Sequence, residues 1–295
     1  MERKSRLDAI GITAMLGFAL LFAFNQVVIK VTIVGISPIF AAALRSVLGL
    51  GALWLWIRYR GISLKVTRGQ FWGGCLIGAL FTTEFIFLFL ALDLTTVGRA
   101  SVIFYTMPVW LGLVAHFVLP GETLSGVRLL GFLIAISGIA LAFWDGATGE
   151  ANLLGDLLAL LAALFWAAIA LAVRLTPVSE AEAEVQLFFQ LAMSGATYLV
   201  IAPLFGPLIR DIAPIHVAAI GFQSIILVLF GFLVWFRLMK IYPASDIAAF
   251  SFLSPVLSVV LGWWLLGEEL GAEIIAALGL VCIGLVLISR RPNKA

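Results

Sequence analysis

The stretch 97–122, VGRASVIFYTMPVWLGLVAHFVLPGE, is apolar and long enough to cross a bilayer. Arg99 stands at its start, Pro108 at its middle, and Gly121 and Glu122 just past its apolar run. The same layout returns at 243–269, PASDIAAFSFLSPVLSVVLGWWLLGEE, with Asp246, Pro255 and then Gly267, Glu268 and Glu269. Pro108 and Glu122 are as far apart as Pro255 and Glu269. A repeated segment of this length constrains the whole fold. In lipid, every backbone polar group must be satisfied within the protein, and a single apolar run does that as a helix.

Composition extends the argument to the rest of the chain. Of 295 residues, 63% are hydrophobic and 12% charged, with a mean hydropathy of +1.17. A soluble domain carries about 25% charged residues. This chain cannot cover a water-facing surface, so the expected class is an all-α integral membrane protein. The net charge of +2 is spread over segment ends, which excludes a nucleic-acid surface. Cys75 and Cys282 each lie inside an apolar run and read as packing residues, with neither a disulfide frame nor a metal site. His116 and His216 have no ligand-spaced neighbours and read as structural. No cofactor or metal is expected. The N-terminal MERKSRLD precedes an apolar run that is longer than a signal-peptide core and has no small-residue cleavage site. It reads as a retained first helix.

Ten membrane segments are predicted, at 9–31, 38–57, 71–92, 97–119, 129–144, 153–173, 185–205, 215–239, 247–266 and 274–288. With a cytoplasmic N-terminus, most Lys and Arg fall inside, and only Lys30, Arg99 and Arg210 outside. Both termini are then cytoplasmic. Five crossings per half make the second half, 148–295, inverted relative to the first, 1–147. Phe22 and Lys30 have the spacing of Trp166 and Arg174, and Arg45 falls where Gln190 falls.

Polar residues inside these segments are the candidate functional groups. Glu84 lies well within TTEFIFLFLAL, where a carboxylate is costly and needs a partner, a proton or water. Arg45 reaches similar depth, so the two are expected either as a fixed ion pair, the favoured reading, or as a gate. Asp246 suits a helix N-terminus; Arg99 does not and is expected to bind Asp93 or a backbone carbonyl. Pro108 and Pro255 imply bends near mid-membrane, either static kinks or freed carbonyls facing a cavity. Asn25, Gln26, Thr82, Thr83, Ser101, Tyr105, Thr106, Gln186, Gln190, Ser194, Gln223, Ser224, Ser251 and Ser254 sit at mid-depth, with Phe81, Phe85, Phe104, Trp110 and Trp166 as aromatic faces. Such a set suits a moderately polar or amphiphilic solute, although interhelical bonding accounts for most polar groups in any bundle. Gly74 and Gly78 form a GxxxG, expected to mark close packing. Trp54, Trp56, Trp72, Trp263 and Trp264 read as an interfacial belt.

The ordered set of Arg45 in SPIFAAALR, Pro108 in FYTMPVW, Gly121-Glu122, Gly131 and Gly138 in GFLIAISG, and Pro255, Gly267-Glu268 and Gly279 resembles the drug/metabolite transporter superfamily, in its EamA-type branch. Within the branch the chain looks most like the YddG-type aromatic amino-acid exporters. The resemblance implies a bacterial inner-membrane secondary transporter exporting aromatic or neutral amino acids and related metabolites by alternating access. Its central cavity would be lined by segments one, three, four, six, eight and nine. Phe81, Phe85, Phe104 and Trp166 would supply its apolar lining, and Asn25, Thr82 and Gln223 its hydrogen bonds. Arg45, Glu84, Pro108 and Pro255 would be gate or support residues. The expected partners are a small-molecule substrate and membrane lipid, with no nucleic acid. The expected state is a monomer, with a dimer as the alternative. A nucleotide sugar or an amphiphilic drug is the alternative cargo. A lipid-modifying membrane enzyme is a further alternative, but no DDxxD, HxxE or GxSxG motif supports it. A non-transporting scaffold is the third.

Overall fold

The computed structural model describes residues 9–118, 125–144, 152–231, 234 and 252–289. Helix α1 spans Ala9–Gly35, α2 Pro38–Arg60 and α3 Arg68–Leu94. The fourth segment is two helices, α4 at Val97–Phe104 and α5 at Met107–Val118. Then come α6 at Gly126–Trp144, α7 at Leu153–Leu175 and α8 at Ala183–Ile201. Helix α9, Pro214–Gly221, runs on as a π-helical stretch, Phe222–Gly231. Helices α10, Leu253–Leu266, and α11, Ala272–Ser289, complete the described chain. Among the described residues, eight spans are long and apolar enough to cross a membrane, and Pro214–Val228 and Leu253–Leu266 are shorter apolar helices. Asp246, Ser251, Gly121, Glu122 and parts of the eighth and ninth expected segments lie outside the described residues.

Local chemistry sets the helix ends. Pro38 opens α2, where its missing N–H costs nothing, and Gly61 closes it at φ 65°. Thr67 and Gln70 form a reciprocal capping box at the start of α3. The interruption of the fourth segment falls at Tyr105 and Thr106, before Pro108. The expected mid-helix kink is therefore corrected. Pro108 stands second in α5 and Pro255 third in α10, positions whose N–H groups have no intrahelical acceptor, so the ring displaces no bond there. The Thr106 hydroxyl donates to the Ile103 carbonyl at 2.5 Å and accepts from the Trp110 indole N–H at 3.1 Å. Side chains thus bridge the gap in the helical ladder.

Packing follows glycine. A Cβ on Gly78 would stand 2.9 Å from the Phe189 carbonyl oxygen, and one on Gly74 would stand 2.6 Å from the Phe189 ring. The GxxxG stripe is where α3 meets α8, as its spacing implied. Helices α6 and α11 cross still closer. A Cβ on Gly284 would lie 2.6 Å from the Gly131 carbonyl oxygen, and one on Gly138 would lie 2.9 Å from that of Ala277. Gly279, by contrast, faces open space. The strongest contacts are α6 with α11, α3 with α7, α2 with α8, α3 with α8 and α1 with α10. Helices α4 and α5 both touch α7, and α1 and α2 both touch α9 and its π-helical continuation. Numbering the segments one to five in each of the two halves expected from the sequence, third-on-first, first-on-fourth and second-on-third contacts all occur in both directions. The second segments also pair with each other, as do the fourth and the fifth.

Candidate functional site

One end of the bundle is tied by charge. The first N–H groups of a helix have no intrahelical acceptor, and in α4 those of Val97, Gly98 and Arg99 each find a side chain. Glu268, just past the end of α10, accepts from Val97 N at 2.6 Å and Gly98 N at 2.9 Å. Thr96 takes Arg99 N on its hydroxyl and Ala100 N on its carbonyl. The preceding Gly267, at φ 69°, turns the chain so that Glu268 can reach. A Cβ on Gly262 would come within 2.6 Å of the Glu268 carboxylate, so a larger residue there would push the carboxylate off its cap. Between the two candidate acids, Glu268 is the capping one, and Glu269 is exposed.

Arg99 pairs with Asp156 of α7 at 2.5 Å and donates to the Ala142 carbonyl at 2.6 Å. The expected Asp93 partner is thereby corrected, and the expected backbone carbonyl is found. Asp93 instead holds Arg210 through two bonds of 2.6 and 2.8 Å. These bonds raise the Arg210 guanidinium above its ordinary range. Lys30 donates to the carbonyls of Leu92 at 2.6 Å and Thr95 at 2.9 Å. Nearby, His216 Nδ1 accepts from Ala213 N at 2.9 Å, a structural role.

Deeper in the bundle lie two aromatic sets. Phe104 of α4 stacks on Trp166 of α7 with centroids 4.8 Å apart, and Tyr105 meets the same indole edge-on at 6.1 Å. On α3, Phe81 packs on Phe85 at 4.6 Å. Among the described residues no ring contact joins Phe81 or Phe85 to Phe104 or Trp166. The Thr82 hydroxyl is spent on its own helix, donating to the Gly78 carbonyl, while its carbonyl accepts the Tyr198 hydroxyl at 2.7 Å.

Two buried oxygens on the neighbouring helices have no partner, Asn25 Oδ1 on α1 and Ser101 Oγ on α4. The Tyr105 hydroxyl lies beside Gln26 and Ser258, at the break between α4 and α5. Gln223, in the π-helical stretch, donates to the Thr32 hydroxyl at 2.8 Å, and its Oε1 has no partner. Ser258 and Tyr198 are sites that the sequence did not mark. A serine on an apolar helix and a tyrosine near a helix end carry no distinctive spacing.

The expected Arg45–Glu84 ion pair does not form. The Arg45 guanidinium lies over the Phe85 ring, 3.9 Å from its centre, and 5.9 Å from that of Phe89. Consecutive helical residues point about 100° apart. Helix α2 faces Phe85 and Phe89 through Arg45, which leaves Glu84 on the flank. Both side chains are buried.

Two stretches of the chain, 9–144 and 153–290, match the EamA-like transporter family. The chain belongs to that family. Similar proteins in Bacillus subtilis include the uncharacterized transporter YvbV, 26% identical over 92% of both chains, and the uncharacterized transporter YoaV, 24% identical over 94% of this chain and 96% of that one. Protein PA1977 of Pseudomonas aeruginosa is 29% identical over 97% of this chain and 95% of its own. A solved crystal structure shares the fold, with a TM-score of 0.65 over 95% of this chain and 97% of that chain, at 21% identity. Family membership makes the protein a multi-pass membrane transporter, and transport requires a place where a solute can exchange its water for protein groups.

Proposed function

We propose that this protein is a secondary carrier of small zwitterionic or amphiphilic metabolites, aromatic and neutral amino acids first, working by alternating access in a bacterial inner membrane. The observation that carries the reading is the buried polar group formed by Gln26 and Ser258 at the Tyr105 hydroxyl, beside the rings of Phe104 and Trp166, with the unpartnered oxygens of Ser101 on the same helix and Asn25 next to Gln26 on α1. Open hydrogen-bonding capacity inside a membrane bundle is costly. A solute with a flat apolar body and polar ends offsets that cost when it binds. Phe81, Phe85 and Gln223 belong to the same reading as a second wall, with Thr82 lending backbone support. Ten crossings, two inverted five-helix halves at 1–147 and 148–295, and cytoplasmic termini complete it. The matched pairs of interhelix contacts and the two stretches of family similarity support that division. Proton coupling would run through Glu84.

The test is counterflow in proteoliposomes with labelled amino acids, nucleotide sugars and amphiphilic drugs. Aromatic or neutral amino acids are expected to exchange, and Trp166→Ala to reduce that exchange at least tenfold. Exchange of nucleotide sugars alone would move the substrate class. Unchanged rate and pH dependence in Glu84→Gln would remove Glu84 from coupling.

A further inference from the structure

Four cations of this protein lie where charge is expensive or organised, and three have conventional partners. Arg99 takes Asp156 and the Ala142 carbonyl, Lys30 takes two carbonyls, and Arg210 takes Asp93 and the Ile33 carbonyl. Arg45 is the exception. Its side chain is 2% exposed, and neither Nε nor Nη2 has a hydrogen-bond partner. Glu84 and Tyr198 are near enough to feel its charge, yet no carboxylate pairs with it among the described residues.

The identity of the two open atoms matters. Nε–H and Nη2–H project side by side from one edge of the guanidinium. That edge clamps both oxygens of a carboxylate, and its planar geometry is what distinguishes arginine from lysine. Stacking on Phe85 stabilises the flat face of the cation and leaves this edge untouched. An arginine that only bound α2 to α3 would turn the edge toward Glu84 or a free carbonyl, as the other three cations do.

Resting on the carrier reading above, we propose that Arg45 seats the carboxylate of the transported solute. Phe85 backs the cation: its ring lies on the flat face and leaves the fork open beside it. Phe85 also packs on Phe81, so a solute seated at the fork has aromatic neighbours for its apolar body. The cargo class narrows accordingly to solutes that carry a carboxylate next to an apolar or aromatic body.

The experiment compares three probes in proteoliposomes: phenylalanine, phenylalanine methyl ester and phenethylamine. The ring is the same in all three, and only the first has a free carboxylate. In the wild type, the ester and the amine are expected to compete with labelled phenylalanine at least tenfold more weakly than phenylalanine itself. Arg45→Lys keeps the charge and removes the fork. It is expected to lower phenylalanine exchange at least tenfold and to erase the tenfold preference, with a melting temperature close to wild type. Equal competition by all three probes in the wild type overturns the seat and leaves the carrier reading standing, as does an Arg45→Lys protein that keeps the preference. Should Arg45→Lys fail to fold, the wild-type competition decides alone. No exchange of any amino acid overturns both readings together.

Discussion

Replacing Glu268 with glutamine isolates the contact that joins the end of α10 to the start of α4. The carboxylate accepts two amide protons, from Val97 at 2.6 Å and Gly98 at 2.9 Å. Glutamine keeps one acceptor oxygen and sets an NH2 group against the other N–H. Losing one charge-assisted hydrogen bond costs about 1.5–3 kcal/mol. Removing the negative charge from a helix N-terminus costs about 0.3–1 kcal/mol more. The expected destabilisation is about 2–4 kcal/mol from these two terms. It is read by reversible SDS unfolding in mixed micelles, with Glu269→Gln as the control. Glu269 is exposed, so its variant should stay within about 0.5 kcal/mol of wild type. Gly262→Ala should reproduce the Glu268 defect, because its methyl group would stand 2.6 Å from the same carboxylate. A Glu268→Gln protein as stable as wild type, or a Glu269 variant that is the worse of the two, refutes the assignment.

Two further stability predictions use the same assay. Asp156→Asn takes a buried carboxylate away from the Arg99 cation and should cost about 3–5 kcal/mol, whereas Arg99→Leu combined with Asp156→Leu should cost clearly less. Gly284→Ala forces a methyl group to 2.6 Å from the Gly131 carbonyl oxygen and should cost about 1–3 kcal/mol. Gly279→Ala, in open space, should be neutral or slightly stabilising.

The apolar runs made most of the helices legible, because length and hydropathy alone decide whether a segment can span lipid. The GxxxG stripe and the Gly-Glu exit were legible for a related reason: small residues and turn residues have local mechanisms. The pairings of Arg99, Asp93, Arg210 and Arg45 were not. They depend on how each helix is rotated about its own axis, and depth along the axis does not reveal rotation. Arg45 and Glu84 match in depth and still miss, since Phe85 occupies the facing position. The interruption at Tyr105 was hidden behind Pro108, because proline marks a constraint on the chain and can stand just beyond the gap itself. The π-helical stretch at Phe222–Gly231 left no mark in the sequence, since a wider helical turn needs no special residue. In the candidate site, the aromatic pair Phe104 and Trp166 was foreseen and found stacked, whereas Ser258 and Tyr198 came from the structure alone.

The α6–α11 crossing has a mechanical consequence. Where Gly131 and Gly284 meet, main chain rests on main chain, with Ala135, Leu287 and Ile288 packed tightly around the contact. Two rods in such contact cannot slide lengthwise without lifting apart. Helices α6 and α11 therefore act as one stiff unit. Any rearrangement that kept this crossing intact would leave the two helices in fixed register with each other.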